Sequence, residues 1–492
     1  MKSYLSNYLA DVEIQLIMQG LNIAELLAFA RCSKFMRRTA SQPFPWKYTP
    51  PLNLVDYHSS NFTTRSKFFH NLHQQGKNSI PLQHAYLSVE YDVKKANQHF
   101  NMANVNTLLK TVMECNFHDK LIKMEFVCCE LYTTNLAKCI KQNKNIKFLC
   151  FKMNLMHHMG ISLLIDGIKH MNELLEITFE FNLLGCENTT ALIDALRHQK
   201  KLHTVHLGNN AISSNGMLVL SNMIKYSNTI KDVNICCNRI IDEDMVALSD
   251  AIKCSTSITS LNIGNNNYIS NYGLAILFNG IKYNKTLTSL HLGGLNYHYT
   301  KDDGSDEHFF SMMDSIKLNP SIKKLYFNKS SISNNGFMKI MDTIESNCNI
   351  TSLDLQNTHF NHITCIKKLA YVIKNNKSSI TDINLSSNNL SRESIIVLAD
   401  AIKYNTSIVT LDLSNNNIKY EDSEELLDAI MYNKYIKNIN LRKNEIDEQY
   451  LCKITKSVNV TSRKNIQITS TCSFWNLIYF AFYVIKSFCC NR

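Results

Sequence analysis

The sequence predicts an α/β solenoid with a parallel strand on its concave side and helices on its convex side, a horseshoe preceded by a small helical module. Three observations carry that expectation. An apolar phrase recurs twelve times, its copies beginning at Leu121, Ile146, Leu174, Leu202, Ile230, Ile258, Leu287, Ile322, Ile350, Ile380, Ile408 and Ile436, and seven of the eleven steps are 28 residues long. Within a copy, apolar residues first alternate, as at Leu411 and Leu413, and then recur at three and four, as at Ile395, Leu398, Ala401 and Ile402. Most copies also carry an asparagine at one fixed place.

The strand comes first in each unit. Leu202, Val205, Leu207, Asn210 and Ile212 form one clear copy, and Ile408, Leu411, Leu413, Asn416 and Ile418 another. Together they spell the leucine-rich repeat pattern. Alternation suits a short strand with one buried face, and the following three-and-four spacing suits a helix, so each repeat reads strand, loop, helix, loop. A unit this small cannot enclose its own apolar face, so neighbours must stack to share a continuous core.

The asparagine column has a chemical reason. Where the chain leaves the strand, a buried side-chain amide can pair with backbone groups of adjacent turns, each bond contributing about 1 kcal/mol net. Asn stands at 154, 182, 210, 238, 266, 388, 416 and 444, with Cys129, Ser330 and Thr358 as polar substitutes. Leu295 cannot take the role, and it coincides with the longest step, 35 residues from Leu287 to Ile322. That step holds the polar run 297–308, which reads either as a contact loop or as a tolerated surface insertion.

The repeats resemble the ribonuclease-inhibitor-like subclass, on the strength of the long helical half and phrases such as Leu398-Ala-Asp-Ala-Ile-Lys-Tyr-Asn405. The resemblance covers about 325 of the 492 residues, taking in Leu121 to Ile446. It implies a broad surface that grips another macromolecule, since the subclass includes nuclease inhibitors, innate-immune sensors, activators of Ran-type GTPases and ubiquitin-ligase adaptors.

Residues 1–48 break the repeat. Leu9, Ile14, Ile17, Leu21, Leu26, Leu27, Phe29, Cys32 and Phe35 fit two or three short packed helices with a turn at Gly20-Leu21-Asn22. The segment is similar to an F-box in spacing and order: Leu9 leads, Leu26-Leu27 follow, then Arg31-Cys32-Ser33-Lys34-Phe35, with Trp46 near the end. That resemblance implies docking on a Skp1-like adaptor of a cullin ubiquitin ligase, with Leu9, Ile17, Leu21, Leu26 and Leu27 as interface or supporting-core residues. Ala10 departs from the usual Pro after the leading Leu, and only Phe35 or Met36 represents the expected large aromatic. The same residues also fit an ordinary helical cap over the first repeat.

Residues 49–120 read as a linker and a degenerate first repeat. The prolines at 43, 45, 50 and 51 predict an irregular connection over 47–80, Tyr86–Tyr91 a strand, and 105–115 a helix. The solenoid then runs over 121–460, and 461–492 form a basic, then apolar tail. Its run 474–485 is too short to span a bilayer and reads as a cap over the last repeat or as a weak membrane contact, with Cys489 and Cys490 as acylation candidates.

Composition excludes more than it selects. The net charge is +11, but Lys is spread along the repeats without interleaved stacking aromatics, which argues against nucleic acid. Sixteen cysteines with no apolar leader at Met1–Asn7 point to reduced thiols in the cytoplasm or nucleus. No two cysteines stand at zinc spacing, so neither a metal nor another cofactor is expected. No phosphate-binding Gly-Lys-Ser/Thr loop, His-Glu-X-X-His or Gly-X-Ser-X-Gly occurs, which points away from an enzyme.

Binding then falls on the outward residue between the two inner apolar positions of each strand. His206, His291 and Tyr326 are the candidate anchors there, because amphipathic rings dominate hot spots, with Asp354 on the acidic stretch of the same face. The leading functional reading is a substrate-recruiting ligase adaptor with an unknown protein substrate. The alternative is a non-catalytic scaffold or a GTPase regulator of the Ran-activator type, whose acidic tail this chain lacks.

Overall fold

A computed structural model of the chain describes residues 52–56, 85–90, 121–127, 130–131, 133–156, 158–295, 305–347, 349–446 and 467–469. The F-box-like segment with Leu9, Ile17, Leu21, Leu26 and Leu27, the expected helix at 105–115, Cys129 and the apolar run 474–485 lie outside these residues. The chain divides into two compact units, residues 1–240 with 250–259, and residues 241–249 with 260–492.

The strands of the first unit are β1 (Leu52–Asp56), β2 (Ala85–Glu90), β3 (Leu121–Val127), β4 (Glu130–Leu131), β5 (Phe148–Lys152), β6 (Leu155–Met156), β7 (Glu176–Glu180), β8 (Thr204–His206) and β9 (Asp232–Asn234). β1, β2, β3, β5, β7, β8 and β9 pair in parallel in that order, and β4 pairs with β6. Helices α1 (Thr133–Gln142), α2 (His158–Lys169), α3 (Gly185–Leu196) and α4 (Ser214–Tyr226) follow their strands in turn. Helix α5 (Asp244–Cys254) is divided between the two units.

In the second unit β10 (Ser260–Asn262), β11 (Ser289–His291), β12 (Lys324–Tyr326), β13 (Ser352–Asp354), β14 (Asp382–Asn384), β15 (Thr410–Asp412), β16 (Asn438–Asn440) and β17 (Gln467–Thr469) form an unbroken parallel ladder in chain order. Its helices are α6 (Asn271–Ile281), α7 (Ser305–Leu318), α8 (Asn334–Ser346), α9 (Ile363–Lys374), α10 (Arg392–Tyr404) and α11 (Tyr420–Tyr432). Each unit is thus a leucine-rich-repeat solenoid, with strand and helix alternating and all main-ladder strands parallel.

Two strands extend beyond what the apolar phrase predicts. β1 arises within the stretch expected to be an irregular connection: Leu52-Asn-Leu-Val-Asp56 follows the prolines without containing one, so each of its residues keeps its backbone donor for pairing with β2. β17 continues the ladder into the carboxyl-terminal segment. The last four residues of the polar insertion, 305–308, form the first turn of α7.

The core follows the two periodicities. In the short strands the middle residue is buried and its neighbours are not, as at Val205, Leu290 and Leu411. In α10 the buried set is Ser394, Ile395, Leu398, Ala399, Ala401 and Ile402, one face of the helix. Early in the first unit the second inner position holds Phe126, Phe151 and Phe179, whose successive ring centroids lie 5.5 and 4.7 Å apart. Aromatic volume there occupies what Leu and Ile fill in later repeats other than that of Phe327.

The asparagine column forms the hydrogen-bonded ladder its chemistry predicts. Asn416 Nδ2 donates to Leu385 O at 2.9 Å and Leu413 O at 3.1 Å, while its Oδ1 accepts from Asn388 N at 2.8 Å. Asn388 in turn donates to Leu355 O at 2.8 Å, and its Oδ1 accepts from Thr358 N at 2.9 Å. In the first unit Asn154 N donates to Asn182 Oδ1 at 3.1 Å, Asn182 N to Asn210 Oδ1 at 3.3 Å, and Asn210 N to Asn238 Oδ1 at 3.0 Å. Thr358 keeps one part of the role by donating to Leu355 O at 2.8 Å. Leu295 replaces the amide with apolar volume and is 1% exposed.

The residue before each described member of this column is left-handed: φ is positive at Met153, Phe181, Asn209, Cys237, Asn265, Gly294, Lys329, Asn357, Ser387, Asn415 and Lys443. This turn swings the column side chain inward. Asn tolerates that conformation better than most residues, which accounts for the frequent Asn-Asn pairs at 209–210, 265–266 and 415–416. At Gly294 φ is +68°, which favours glycine, and a Cβ there would also stand 2.0 Å from Asn265 Oδ1.

A second ladder closes the helical side. Asn319 donates to Ile281 O and Asn284 O at 2.6 and 2.9 Å, and Asn347 to Ile316 O and Asn319 O at 2.9 and 3.1 Å. Asn433 does the same toward Ile402 O and Asn405 O at 2.7 and 2.8 Å. Each amide thus ties one carbonyl of the preceding repeat's helix end and one carbonyl of the loop that follows it.

Asn416→Ala strands the buried Asn388 N–H, while Leu385 O and Leu413 O keep the amides of Asn388 and Asn444, so it should lower unfolding free energy by about 2 kcal/mol. Exposed Lys434→Ala should stay within about 0.5 kcal/mol of the wild type. Urea titration followed by circular dichroism compares the two midpoints.

Candidate partner-binding face

Because strand residues alternate sides, burying the middle residue of β8 or β15 turns its neighbours outward. The outward residue nearest the strand exit is His206 on β8, His291 on β11, Tyr326 on β12 and Asp354 on β13. All four are intermediate in burial, so they are accessible but held. His206 belongs to the first unit and the other three to the second.

In the second unit register brings the predicted residues together. His291 pairs with Tyr326 across β11 and β12, and Tyr326 with Asp354 across β12 and β13. The His291 and Tyr326 rings stack with centroids 3.9 Å apart and planes 3° from parallel. Ser289 Oγ lies 3.3 Å from His291 Nε2 and helps fix the imidazole. His206 is instead tied to an acid, its Nε2 lying 3.1 Å from Asp232 Oδ2 on β9.

Farther along, the outward residues close small turns. Asp354 Oδ1 accepts from Gln356 N at 2.9 Å, Asn384 Oδ1 from Ser386 N at 3.0 Å, Asp412 Oδ1 from Ser414 N at 2.9 Å and Asn440 Oδ1 from Arg442 N at 3.2 Å. Asn234 and Asn262 repeat the pattern toward Cys236 N and Gly264 N. A side chain that accepts from the N–H two residues on makes an Asx turn, which ends the strand, and its second heteroatom can tie neighbouring strands, as Asp412 Oδ2 does by accepting from Asn440 Nδ2 at 2.8 Å. Sequence reading placed these residues on the face but missed the turn. Its signal was the recurrence of Asn or Asp, the residues that cap in this way, at that one position.

Electrostatics distinguish Asp354. Burial pushes its carboxyl above the usual carboxylate range, opposed by hydrogen bonds from Gln356 N and Asn384, and Asp412 adds repulsion. Among the described residues no Lys or Arg pairs with Asp354, Asp382 or Asp412. In the first unit Glu180 on β7 reaches Lys152 at 3.3 Å and accepts from Asn234 Nδ2 at 2.8 Å, so its acidity is internally compensated.

Cysteine chemistry is muted on this face. Burial pushes the thiol of Cys150 on β5 up to about 12, and nearby Glu125 adds to it. Cys139 in α1 is likewise raised to about 12 by burial. Cys236 is raised by its hydrogen bond with Cys237 and by burial. Among the described residues no group of three or more His, Cys, Asp or Glu side chains is placed to hold a metal ion, and no described helix is long and apolar enough to cross a membrane.

Residues 404–426 match the family model described as Leucine Rich repeat, a span that runs from the end of α10 through β15 and Asn416 into α11. No curated protein matches the chain. Among solved structures, a chain from the Rad7 and Elc1 complex of yeast is similar at 13% identity and a TM-score of 0.45, over 83% of this chain and 92% of that one. The tropomodulin C-terminal domain of Caenorhabditis elegans is similar at 18% identity and a TM-score of 0.26, over 32% of this chain and 92% of that one. The leiomodin-1 actin-binding site 2 gives 16% identity and a TM-score of 0.25, over 36% and 84% respectively.

Two outcomes check this description. Asp354→Asn keeps the Asx acceptor and removes a carboxylate whose ionised form is disfavoured in the fold. A raised folded-state pKa costs stability at neutral pH, and the cost disappears once both states are protonated below about 3.8, the ordinary carboxyl value. The variant should therefore melt at or above the wild-type temperature at pH 7, with the difference shrinking toward pH 4 in a thermal scan. Brief iodoacetamide treatment of the native protein should label Cys186 and Cys254, which are exposed, ahead of Cys139, Cys150 and Cys365, as read by peptide mass spectrometry.

Proposed function

We propose that this chain is a non-catalytic adaptor whose repeats hold a protein segment on the outward face of the strands, while its F-box-like residues 1–48 dock a Skp1-like subunit of a cullin ubiquitin ligase. The observation that carries the binding half is the stacked His291–Tyr326 pair beside Asp354, an anchored aromatic patch on a rigid parallel ladder. Rings held in place at low entropic cost are what protein-binding hot spots use. The docking half rests on the order and spacing of Leu9, Ile17, Leu21, Leu26 and Leu27. Catalysis is assigned to the ligase; among the described outward residues nearest the strand exits, the thiol of Cys150 is held protonated by burial. The protein is placed in the cytoplasm or nucleus, where its partners reside, with 474–485 as a further weak membrane contact.

Co-purification from cells with tagged full-length chain should recover a Skp1-type protein, and Leu21→Asp should lose it while Tyr326→Ala retains it. Absence of that partner from the wild-type eluate, with a known F-box protein recovering it in parallel, would sink the docking half.

A further inference from the structure

The outward face of the second unit has a chemistry of its own. Across the outward positions of the seven strands from Ser260 to Asn440, Asp354, Asp382 and Asp412 are carboxylates and Lys324 is the one base. The chain as a whole has the opposite balance, 52 Lys and Arg against 41 Asp and Glu. An acidic face on a basic protein attracts cations locally even where the net charge does not. Asp354 adds a second feature, because it is partly withdrawn from water with no cationic partner among the described residues, and it neighbours the stacked rings in register.

We infer that this face takes a basic segment of a partner protein, with an arginine guanidinium laid against the His291–Tyr326 stack and paired with Asp354. Three properties of arginine match the three parts of the site. Its plane stacks on aromatic rings, its weak hydration lowers the cost of leaving water, and its fork can engage a carboxylate with two donors. Asp354 Oδ1 accepts from Gln356 N at 2.9 Å and the carboxylate also takes a hydrogen bond from Asn384, which together orient it beside the rings. Asp412 has a similar arrangement: Oδ1 accepts from Ser414 N and Oγ, at 2.9 and 2.6 Å, and Oδ2 from Asn440 Nδ2 at 2.8 Å.

Register sets the spacing of a second contact. Asp354 and Asp412 stand two strands apart, about 10 Å at the usual separation of paired strands. A segment crossing the strands in the polyproline II conformation repeats its side-chain direction every three residues, about 9 Å along its axis. Arginine at one position and a second base three residues later would therefore meet both carboxylates. This inference rests on the proposed binding role of the strand face, and it is independent of whether residues 1–48 dock a ligase.

The test uses full-length protein and two fluorescent peptides, one with Arg followed by Lys three positions on, the other with Glu at both places. Fluorescence anisotropy at low salt should show the basic peptide binding at least about tenfold more tightly, with affinity falling as salt rises. Asp354→Asn and Tyr326→Ala should each weaken the basic peptide by about tenfold, the first without loss of thermal stability. Lys403→Ala on α10, away from the strand face, should leave binding unchanged. Equal binding of the two peptides, preference for the acidic one, or indifference to Asp354→Asn would overturn the inference. Those results would leave the capture of a Skp1-type protein untouched, whereas loss of that capture alongside intact basic-peptide binding would remove the docking half of the proposed function and leave this one standing.

Discussion

Most repeats depend on one constraint, a buried asparagine amide that must find backbone partners in the turns on either side. Asn416 accepts from Asn388 N and donates to Leu385 O and Leu413 O, so one side chain satisfies groups from two successive repeats. A short loop leaving a three-residue strand has no regular secondary structure to absorb its polar groups. Without the amide, burial of such a loop would cost more than the strand returns. The left-handed residue before the column follows from the same need, since the chain must turn sharply to direct the amide inward.

The face opposite the core inherits its order from this ladder. With the loops fixed, each strand leaves its outward residue at the same height as its neighbour's, and parallel pairing in register lines them up. The Asx turns then use one oxygen of each Asp or Asn to end the strand, and the second heteroatom can cross-link neighbours, as between Asp412 Oδ2 and Asn440 Nδ2. Rigidity is consequently present before any ligand arrives, and binding there need not order the backbone.

How much of this was legible in the sequence depends on whether a feature is written at one position or across two. The asparagine column could be read because the same residue type recurs at a fixed offset and its chemistry has one good use. The second ladder, through Asn319, Asn347, Asn405 and Asn433, has the same 28-residue logic, but asparagine after a helix is also an ordinary chain-ending residue, which hid it. His291 and Tyr326 were each readable as outward residues. Their stacking was not, because it depends on register being kept across the 35-residue step between Leu287 and Ile322. β1 escaped notice for a different reason: Leu52–Asp56 has no asparagine column and no companion copy at a regular distance, and only pairing with β2 makes it a strand.

The long step also shows where the constraint relaxes. Leu295 sits where asparagine is expected and is as buried as the amides it replaces, so apolar burial there takes the place of the bridging hydrogen bonds. The neighbouring repeats compensate with close backbone approach: a Cβ at Gly293 would meet Asn328 O at 2.5 Å, and Gly294 packs on Asn265. The stacked pair His291–Tyr326 straddles this same step, so its two strands are joined by ring contact as well as by main-chain pairing. A repeat that loses its amide and gains an insertion would ordinarily be a weak point. Here the aromatic contact on the outer face reinforces it, which places the stacked rings of the second unit's face where the internal ladder is interrupted.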